Sequence, residues 1–89
     1  MIMLKIWTEE AWADYLYWQA ADRKTLKRIN LLLKDIDRSP YEGLGLGQPE
    51  PLKYKLQGYW SRRIDGEHRL VYGIDNHRIV AISCRTHYE

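Results

Sequence analysis

The segment YWSRRIDGEHRLVYGI, residues 59–74, decides the fold class of this chain. Its two halves, Tyr59–Ile64 and His68–Ile74, are rich in aromatic and branched side chains with a period of two, which is typical of strands. Asp65-Gly66 lies between them, and Asp-Gly is a strong signal for a two-residue hairpin turn. The segment therefore predicts an antiparallel β-hairpin.

The same period of two continues on both sides of this hairpin. Leu52–Gln57 precedes it and Arg78–Arg85 follows it, and the pairs Gln57-Gly58 and Asp75-Asn76 mark the turns between them. A further short strand is predicted at Ile2–Trp7. The pattern thus predicts one strand near the beginning of the chain and four in its second half.

A first helix is predicted directly after the first strand. Thr8 is a good N-cap, and Glu9 and Glu10 place negative charge in the first turn, where the helix dipole favours it. Residues at helical spacing then predict one apolar, aromatic face: Trp12, Tyr15, Leu16 and Gln19.

A second helix is predicted to begin after the cap residue Asp22. It ends at Ser39-Pro40, because the residue before a proline resists the helical conformation. Its buried stripe is expected to be Leu26, Ile29, Leu33 and Ile36. Tyr41–Pro51 contains three glycines and two prolines and is predicted to be a loop.

The order of elements is therefore β-α-α-β-β-β-β. It predicts an α+β fold in which two helices pack on one face of a twisted, mostly antiparallel sheet. At 89 residues the chain is expected to form a single domain over residues 1–89. Cys84 is the only cysteine, so no internal disulfide can form, and a buried, inert thiol is expected. The sequence shows no secretory signal and no apolar run of membrane-spanning length, so we expect a cytoplasmic protein without membrane contact.

Charge is unevenly distributed along the chain. Residues 1–51 carry seven basic and eight acidic side chains, whereas residues 52–89 carry seven basic and four acidic ones. A second half that is basic and aromatic points to a polyanionic partner, nucleic acid first. Five cations on the second helix form either a solvated face or a docking surface for RNA backbone: Arg23, Lys24, Lys27, Arg28 and Lys34.

No metal or cofactor is expected. His68, His77 and His87 lack the close spacing of a zinc site, and a zinc triad assembled from separate strands is the alternative. Gly43–Gly47 is glycine-rich but lacks the lysine and hydroxyl group of a phosphate-binding loop, and it leads into a proline. This segment is expected to be a flexible connection.

The remaining residues suit the cleavage of RNA, in which the 2′-hydroxyl group attacks the neighbouring phosphate. That reaction needs a base, an acid and cations that stabilise the phosphate charge. Glu50, between two prolines, could be the base, and His87, near the end of the chain, the acid. Tyr88 could stack on a nucleotide base. The plainer alternatives are a solvated loop carboxylate, a surface histidine and a hydrophobic lid on the sheet edge.

Three arginines are candidates for the cation. Arg62 and Arg63 point to opposite faces of their strand, so at most one of them shares a face with Arg69. Arg69 is expected to need an anionic partner, which is either Glu67 or Asp65 in the protein or a phosphate in a substrate.

Six motifs in order along the chain are similar to those of one known family: WTEEAW (7–12), DYLYWQ (14–19), PEPLK (49–53), GYWSRRI (58–64), EHRLVY (67–72) and CRTHY (84–88). The chain resembles the YoeB/Txe toxins of the RelE superfamily, from about Leu4 to Tyr88. The resemblance implies a RelE-like fold and an mRNA endoribonuclease that cleaves in the ribosomal A site and inhibits translation. It also implies roles for individual residues: Glu50 as general base, His87 as general acid, Arg69 for the transition-state phosphate, Tyr88 for positioning the substrate, and Lys53 and Arg63 for supporting the phosphate.

The resemblance also implies partners. They are a cognate YefM- or Axe-type antitoxin, the ribosome and mRNA, and a second copy in a homodimer or a toxin–antitoxin hetero-oligomer. Two classes compete with this interpretation: a non-enzymatic inhibitor of a protein target, as in the gyrase-poisoning ParE relatives, and a simple RNA-binding module. The sequence departs from the usual pattern at two places, a longer loop before Glu50 and the extra Glu89, whose charge would favour a protonated His87.

Overall fold

The computed structural model describes residues 2–40, 43 and 45–85. Their helices and strands are β1 (Leu4–Trp7), α1 (Glu9–Ala21), α2 (Arg23–Arg38), β2 (Glu50–Pro51), β3 (Trp60–Arg63), β4 (Arg69–Asp75) and β5 (Arg78–Ser83). The five strands form one sheet in the order β1-β5-β4-β3-β2. Neighbouring strands are antiparallel except for the parallel β1–β5 pair. The predicted α+β architecture is confirmed.

The core lies between the sheet and the two helices. Helix α2 contributes the predicted residues Ile29, Leu33 and Ile36, and it also buries Leu32, so its buried face is wider than expected. Leu26 is only partly buried. The side chains that the sheet contributes to this core are Ile64, Leu70, Tyr72, Ile79 and Ala81.

Helix α1 begins as predicted but buries a different face. The Thr8 Oγ1 atom accepts a hydrogen bond from the Ala11 N–H at 3.1 Å, which confirms the N-cap. The predicted apolar face is wrong in part, because Trp12 and Leu16 are 47% and 44% exposed whereas Ala11 and Trp18 are buried. A small residue at position 11 lets the helix backbone approach the sheet, and the large side chains are left at its margin.

The predicted strand Leu52–Gln57 is wrong. Only Glu50–Pro51 pairs with β3, and the chain then forms a single 3₁₀ turn at Tyr54–Leu56. Tyr54 has a φ of 59° and is 89% exposed. A tyrosine in this left-handed conformation cannot continue a strand, although its neighbours alternate as strand residues do.

Two predicted turns differ in detail. Ile64 and His68 close the β3–β4 hairpin through a bond from the Ile64 N–H to the His68 carbonyl at 2.9 Å, so three residues lie between them instead of two. In the β4–β5 hairpin, Asp75 pairs with Arg78, and the central residues are therefore Asn76-His77, with φ angles of 54° and 64°. Two consecutive positive φ angles are typical of a type I′ turn, which matches the twist of the strands.

No helix in the described part of the chain is long and apolar enough to cross a membrane.

Candidate functional site

Arg62 shows which face of the sheet the helices cover. Its side chain is fully buried on the side of α2, where Nη1 donates to the Asp35 carboxylate at 2.6 Å. Because successive residues of a strand point to opposite faces, the side chains of Ser61 and Arg63 lie on the other side. We call this side, which the helices do not cover, the open face.

Three of the predicted site residues share the open face. Glu50 lies opposite Ser61 on β3, and Arg63 lies opposite Arg69 on β4. Directly opposite residues of antiparallel strands are about 5 Å apart and diagonal ones about 7–8 Å. The carboxylate of Glu50 and the guanidinium groups of Arg63 and Arg69 can therefore face one phosphodiester. Of the two adjacent arginines, it is Arg63 that shares this face with Arg69.

Arg69 does not use an acidic partner within the described residues. Its Nη1 donates to the backbone carbonyls of Asp65 and His68 at 3.0 and 3.2 Å. The Asp65 carboxylate instead accepts the amide N–H groups of Glu67 and His68 at 2.8 and 2.6 Å. Burial acts to raise the pKa of Asp65, but these amides outweigh it and hold the pKa below its ordinary value. Arg69 therefore forms no ion pair with either carboxylate, although its charge helps to lower the pKa of Asp65, and a phosphate in a substrate stays the predicted alternative.

The loop before Glu50 is fastened to the core. Arg62 Nη1 donates to the Leu46 carbonyl at 3.2 Å, and the Leu46 N–H donates to Asp35 at 2.9 Å. The Arg63 N–H donates to the Gly47 carbonyl at 2.6 Å, where φ is +79° and a Cβ atom would lie 2.9 Å from backbone. The chain therefore reaches Glu50 in a fixed register despite the longer loop.

The Arg62 guanidinium is at the centre of the hydrogen bonds that hold this loop. Besides Asp35 and Leu46 it contacts the Ser39 carbonyl at 3.1 Å and the Tyr72 hydroxyl group at 3.0 Å. The Leu46 amide, and after it Arg62, hold the pKa of Asp35 below its ordinary value in spite of burial. Burial raises the pKa of Tyr72, against the effect of Arg62. The cluster acts on the loop that leads to Glu50, and sequence reasoning missed it because a buried arginine cannot be recognised without its partners.

Lys53 lies three residues beyond Glu50, at the beginning of the 3₁₀ turn, and is exposed. Its side chain makes no hydrogen bond or ion pair with the described residues. The adjacent Tyr54 was not predicted as a site residue, and its strained backbone and exposed ring are visible only in the structure.

His87, Tyr88 and Glu89 lie outside the described residues. The described chain ends at Arg85, just past the end of β5 where Ser83 lies opposite Val71. Val71 in turn lies opposite Ser61, which pairs with Glu50. The C-terminal segment therefore leaves the sheet at the same end as the arginine pair.

Other features of the described residues lie apart from the arrangement of Glu50, Arg63 and Arg69 on the open face. No group of three or more His, Cys, Asp or Glu residues among them is arranged to hold a metal ion. A groove of about 410 Å³ opens beside Tyr59 and Gly73, towards the β4–β5 turn, and contains none of the predicted site residues. Cys84 is buried as predicted, and burial, followed by the nearby Asp14 carboxylate, raises the pKa of its thiol to about 12.

The outer side of α2 is strongly basic. Its two acidic residues in the last turns, Asp35 and Asp37, are already paired with Arg62 and Lys5. Its exposed cations are Arg23, Lys24, Lys27, Lys34 and Arg38.

Comparison with known proteins gives consistent results. A family model described as "YoeB-like toxin of bacterial type II toxin-antitoxin system" matches residues 7–88. The chain is 54% identical to Toxin YoeB of Escherichia coli strain K12 over 97% of this chain and all of that protein. It is 58% identical to Toxin YoeB of Synechocystis, over 92% of this chain and 93% of that protein.

Solved structures show the same similarity. The YoeB/ParE toxin from Agrobacterium tumefaciens superposes with a TM-score of 0.92 at 45% identity, over 97% of this chain and all of that one. A YoeB–YefM complex from Staphylococcus aureus gives 0.89 at 46% identity, over 97% and 98% of the two chains. A YoeB dimer from the same organism gives 0.90 at 46% identity, over 99% and 100%.

Proposed function

This chain belongs to the YoeB-like toxin family of bacterial type II toxin–antitoxin systems, and from that premise we propose that it is a ribosome-dependent endoribonuclease that cleaves messenger RNA in the ribosomal A site. The observation that carries the proposal is the arrangement on the open face, where one carboxylate, Glu50, shares the face with two arginines, Arg63 and Arg69, that form no ion pair in the described part of the chain. A base that shares a face with such cations suits RNA, in which a 2′-hydroxyl group must lose its proton while the neighbouring phosphate is held.

In the proposed reaction Glu50 accepts the proton of the 2′-hydroxyl group, and the resulting O2′ attacks the adjacent phosphorus. The bond from phosphorus to the 5′-oxygen breaks, and His87 donates a proton to that leaving oxygen. The products are a 2′,3′-cyclic phosphate and a new 5′-hydroxyl end. No external nucleophile is consumed, because the substrate supplies its own.

The cations stabilise the charge that develops on the phosphate. Arg69 is partly buried and held by two carbonyls, so its guanidinium is already oriented before substrate binds. Arg63 adds a second charge from the neighbouring strand, and Lys53 a third from the end of β2. Tyr88 positions the substrate by stacking.

The chain path supports the role of His87. From Ser83 to Glu50 the sheet crosses three strand spacings, which is about 14 Å. Four residues of extended chain span about the same distance. A histidine four residues beyond Ser83 can therefore reach the space above Glu50 and Arg69.

The proposed partners follow from the same premise. A YefM- or Axe-type antitoxin would bind the toxin and block its activity, as the complex of the Staphylococcus aureus relative suggests. The dimer of that relative supports a homodimer or a toxin–antitoxin hetero-oligomer here. The ribosome would supply orientation that so small a site lacks, and the basic side of α2 would dock on RNA backbone. Activity in the cytoplasm is part of the proposal.

The test is cleavage mapping on ribosomes stalled on a defined messenger, beside the same messenger alone. Cuts confined to the A-site codon are expected, with rate losses of about 10²–10⁴-fold in Glu50→Ala and in His87→Ala. His77→Ala, in an exposed turn away from the open face, is the matched control and should cut as the wild type does. Cuts on free RNA would overturn the ribosome dependence. Full translational inhibition by Glu50→Ala and His87→Ala, without cuts, would replace the proposal by a binding module or a gyrase-type poison.

A further inference from the structure

Helix α1 holds the chain where it leaves β5. The Thr8 N–H donates to the Ala81 carbonyl at 3.1 Å, and the Thr8 hydroxyl group donates to the Ile82 carbonyl at 3.0 Å. Further along the helix, the Asp14 carboxylate accepts the Cys84 N–H at 3.0 Å, and Trp18 Nε1 donates to the Cys84 carbonyl at 2.8 Å. Two side chains of one helix thus satisfy both backbone polar groups of Cys84.

This attachment begins where the sheet no longer provides one. The last residue of β5 with a ladder partner is Ser83, which lies opposite Val71. Chain segments beyond a strand fray unless something binds them. Cys84 is fully buried and Trp18 is 7% exposed, so the bond between them is buried, and the bond to Asp14 is partly buried. Breaking either one leaves a buried backbone group without a partner, which is costly.

The indole of Trp18 also contacts the strand that carries Arg69. Its ring meets the His68 ring edge to face, with centroids 4.9 Å apart and an interplanar angle of 75°. His68 directly precedes Arg69. One side chain therefore contacts both the segment that leads to His87 and the beginning of the strand with the phosphate-binding arginine.

We propose that Asp14 and Trp18 are positioning residues, which fix the backbone of Cys84 and so the point from which the chain continues to His87 and Tyr88. The inference rests on the proposed function of His87. His87 is the third residue after Cys84, a reach of about 10 Å of extended chain. A small rotation of the chain at Cys84 therefore moves the imidazole by several ångströms relative to Glu50, and misplacements of about 1 Å can already cost 10²-fold in rate.

The test removes the two hydrogen bonds of Cys84 one at a time. Asp14→Ala removes the acceptor for the Cys84 N–H, whereas Asp14→Asn retains a side-chain oxygen in the same place. Trp18→Phe removes the Nε1 donor together with part of the buried indole and keeps one aromatic ring, so the Asp14 pair is the cleaner comparison. Trp12→Phe is the matched control, because Trp12 is on the same helix, is 47% exposed and makes no contact with Cys84.

The first measurement is backbone order, from hydrogen exchange and ¹⁵N relaxation at Cys84, Arg85 and His87. Asp14→Ala and Trp18→Phe should accelerate exchange at the Cys84 and Arg85 amides by at least about tenfold, whereas Asp14→Asn and Trp12→Phe should leave it near the wild-type rate. Unchanged exchange in Asp14→Ala would overturn the inference whatever the cleavage assay shows.

The second measurement is cleavage of messenger on stalled ribosomes, at a temperature where circular dichroism shows every variant folded. Asp14→Ala and Trp18→Phe should lower kcat by about 10- to 100-fold while KM changes less than about threefold, and Asp14→Asn should restore kcat. Faster exchange with unchanged kcat would mean that the two residues serve stability alone, and this overturns the positioning role. If the wild type itself does not cleave, the proposed function is refuted, and so is the role of Asp14 and Trp18 in positioning a catalytic acid. The exchange data would then still show whether these two residues anchor Cys84.

Discussion

Replacing Arg62 by methionine is the sharpest test of how the loop before Glu50 is held. The side chain is 0% exposed and forms four hydrogen bonds, to the Asp35 carboxylate, the Tyr72 hydroxyl group and the carbonyls of Ser39 and Leu46. Methionine keeps much of the volume but donates to none of them. The Asp35 carboxylate, with its side chain 15% exposed, would lose its ion pair with Arg62.

The size of the effect follows from what is left behind. Removing one partner of a buried ion pair costs about 3–5 kcal/mol, because the other charge stays buried without compensation. Domains of this size have a free energy of unfolding of about 5–15 kcal/mol. We therefore expect Arg62→Met to lose a large share of the total stability, about 3–5 kcal/mol. Arg62→Met combined with Asp35→Leu should regain at least about 1 kcal/mol, since the uncompensated carboxylate is then gone.

The assay is urea unfolding followed by tryptophan fluorescence, with the free energy of unfolding extrapolated to water. Arg63→Met is the matched control, because Arg63 is the next residue, carries the same charge and is exposed. That variant should change stability by less than about 0.5 kcal/mol. If Arg62→Met is no less stable than Arg63→Met, the buried cluster does not hold the loop and the argument fails.

Three further predictions concern pH, a turn and the thiol. The pKa of Asp35 is lower in the folded protein than in the unfolded chain, so its ionised carboxylate stabilises the fold fully above about pH 4. This stabilisation is lost as the pH falls through the lower, folded-state pKa. The urea midpoint of the wild type should therefore drop more steeply below pH 4 than that of Asp35→Asn. His77→Gly should raise the free energy of unfolding by up to about 1 kcal/mol. Asn76 would then precede a glycine in a type I′ turn, and the positive φ at position 77 would no longer be strained. A urea midpoint at or below that of the wild type would contradict this. Cys84, buried and with a pKa of about 12, should resist alkylation by iodoacetamide at pH 8 until urea is added, as followed by mass spectrometry, and rapid alkylation of the folded protein would refute the burial.

The sequence predicted the elements whose periodicity is carried by many residues. Helix α2 and strands β3 to β5 follow from such patterns, and the N-cap at Thr8 follows from local chemistry. The strand predicted after Pro51 is absent from the structure. Three apolar residues alternate there as in a strand, but the left-handed backbone of Tyr54 does not allow one. A positive φ at a tyrosine is uncommon and has no signal in the local sequence.

In the candidate site, the alternation of side chains along a strand was enough to predict that Arg62 and Arg63 point to opposite faces of the sheet. It did not show which of the two is buried, because that depends on Asp35, which is 27 residues away along the chain. The register that brings Glu50 opposite Ser61 depends equally on pairing between distant segments. The contribution of His87 and Tyr88, and the extent of the single domain, stay predictions.

The order of the strands has a consequence for how the protein is made. β1 is synthesised before the other described strands and β5 after them, yet the two are neighbours in the sheet, with Leu4 opposite Arg78. Contacts between such distant segments form late and slowly. While a ribosome is still translating β5, neither the parallel edge nor the attachment of Cys84 to α1 can exist. A nascent chain therefore lacks both sets of contacts until β5 and Cys84 have been synthesised, and the sheet can be completed only afterwards.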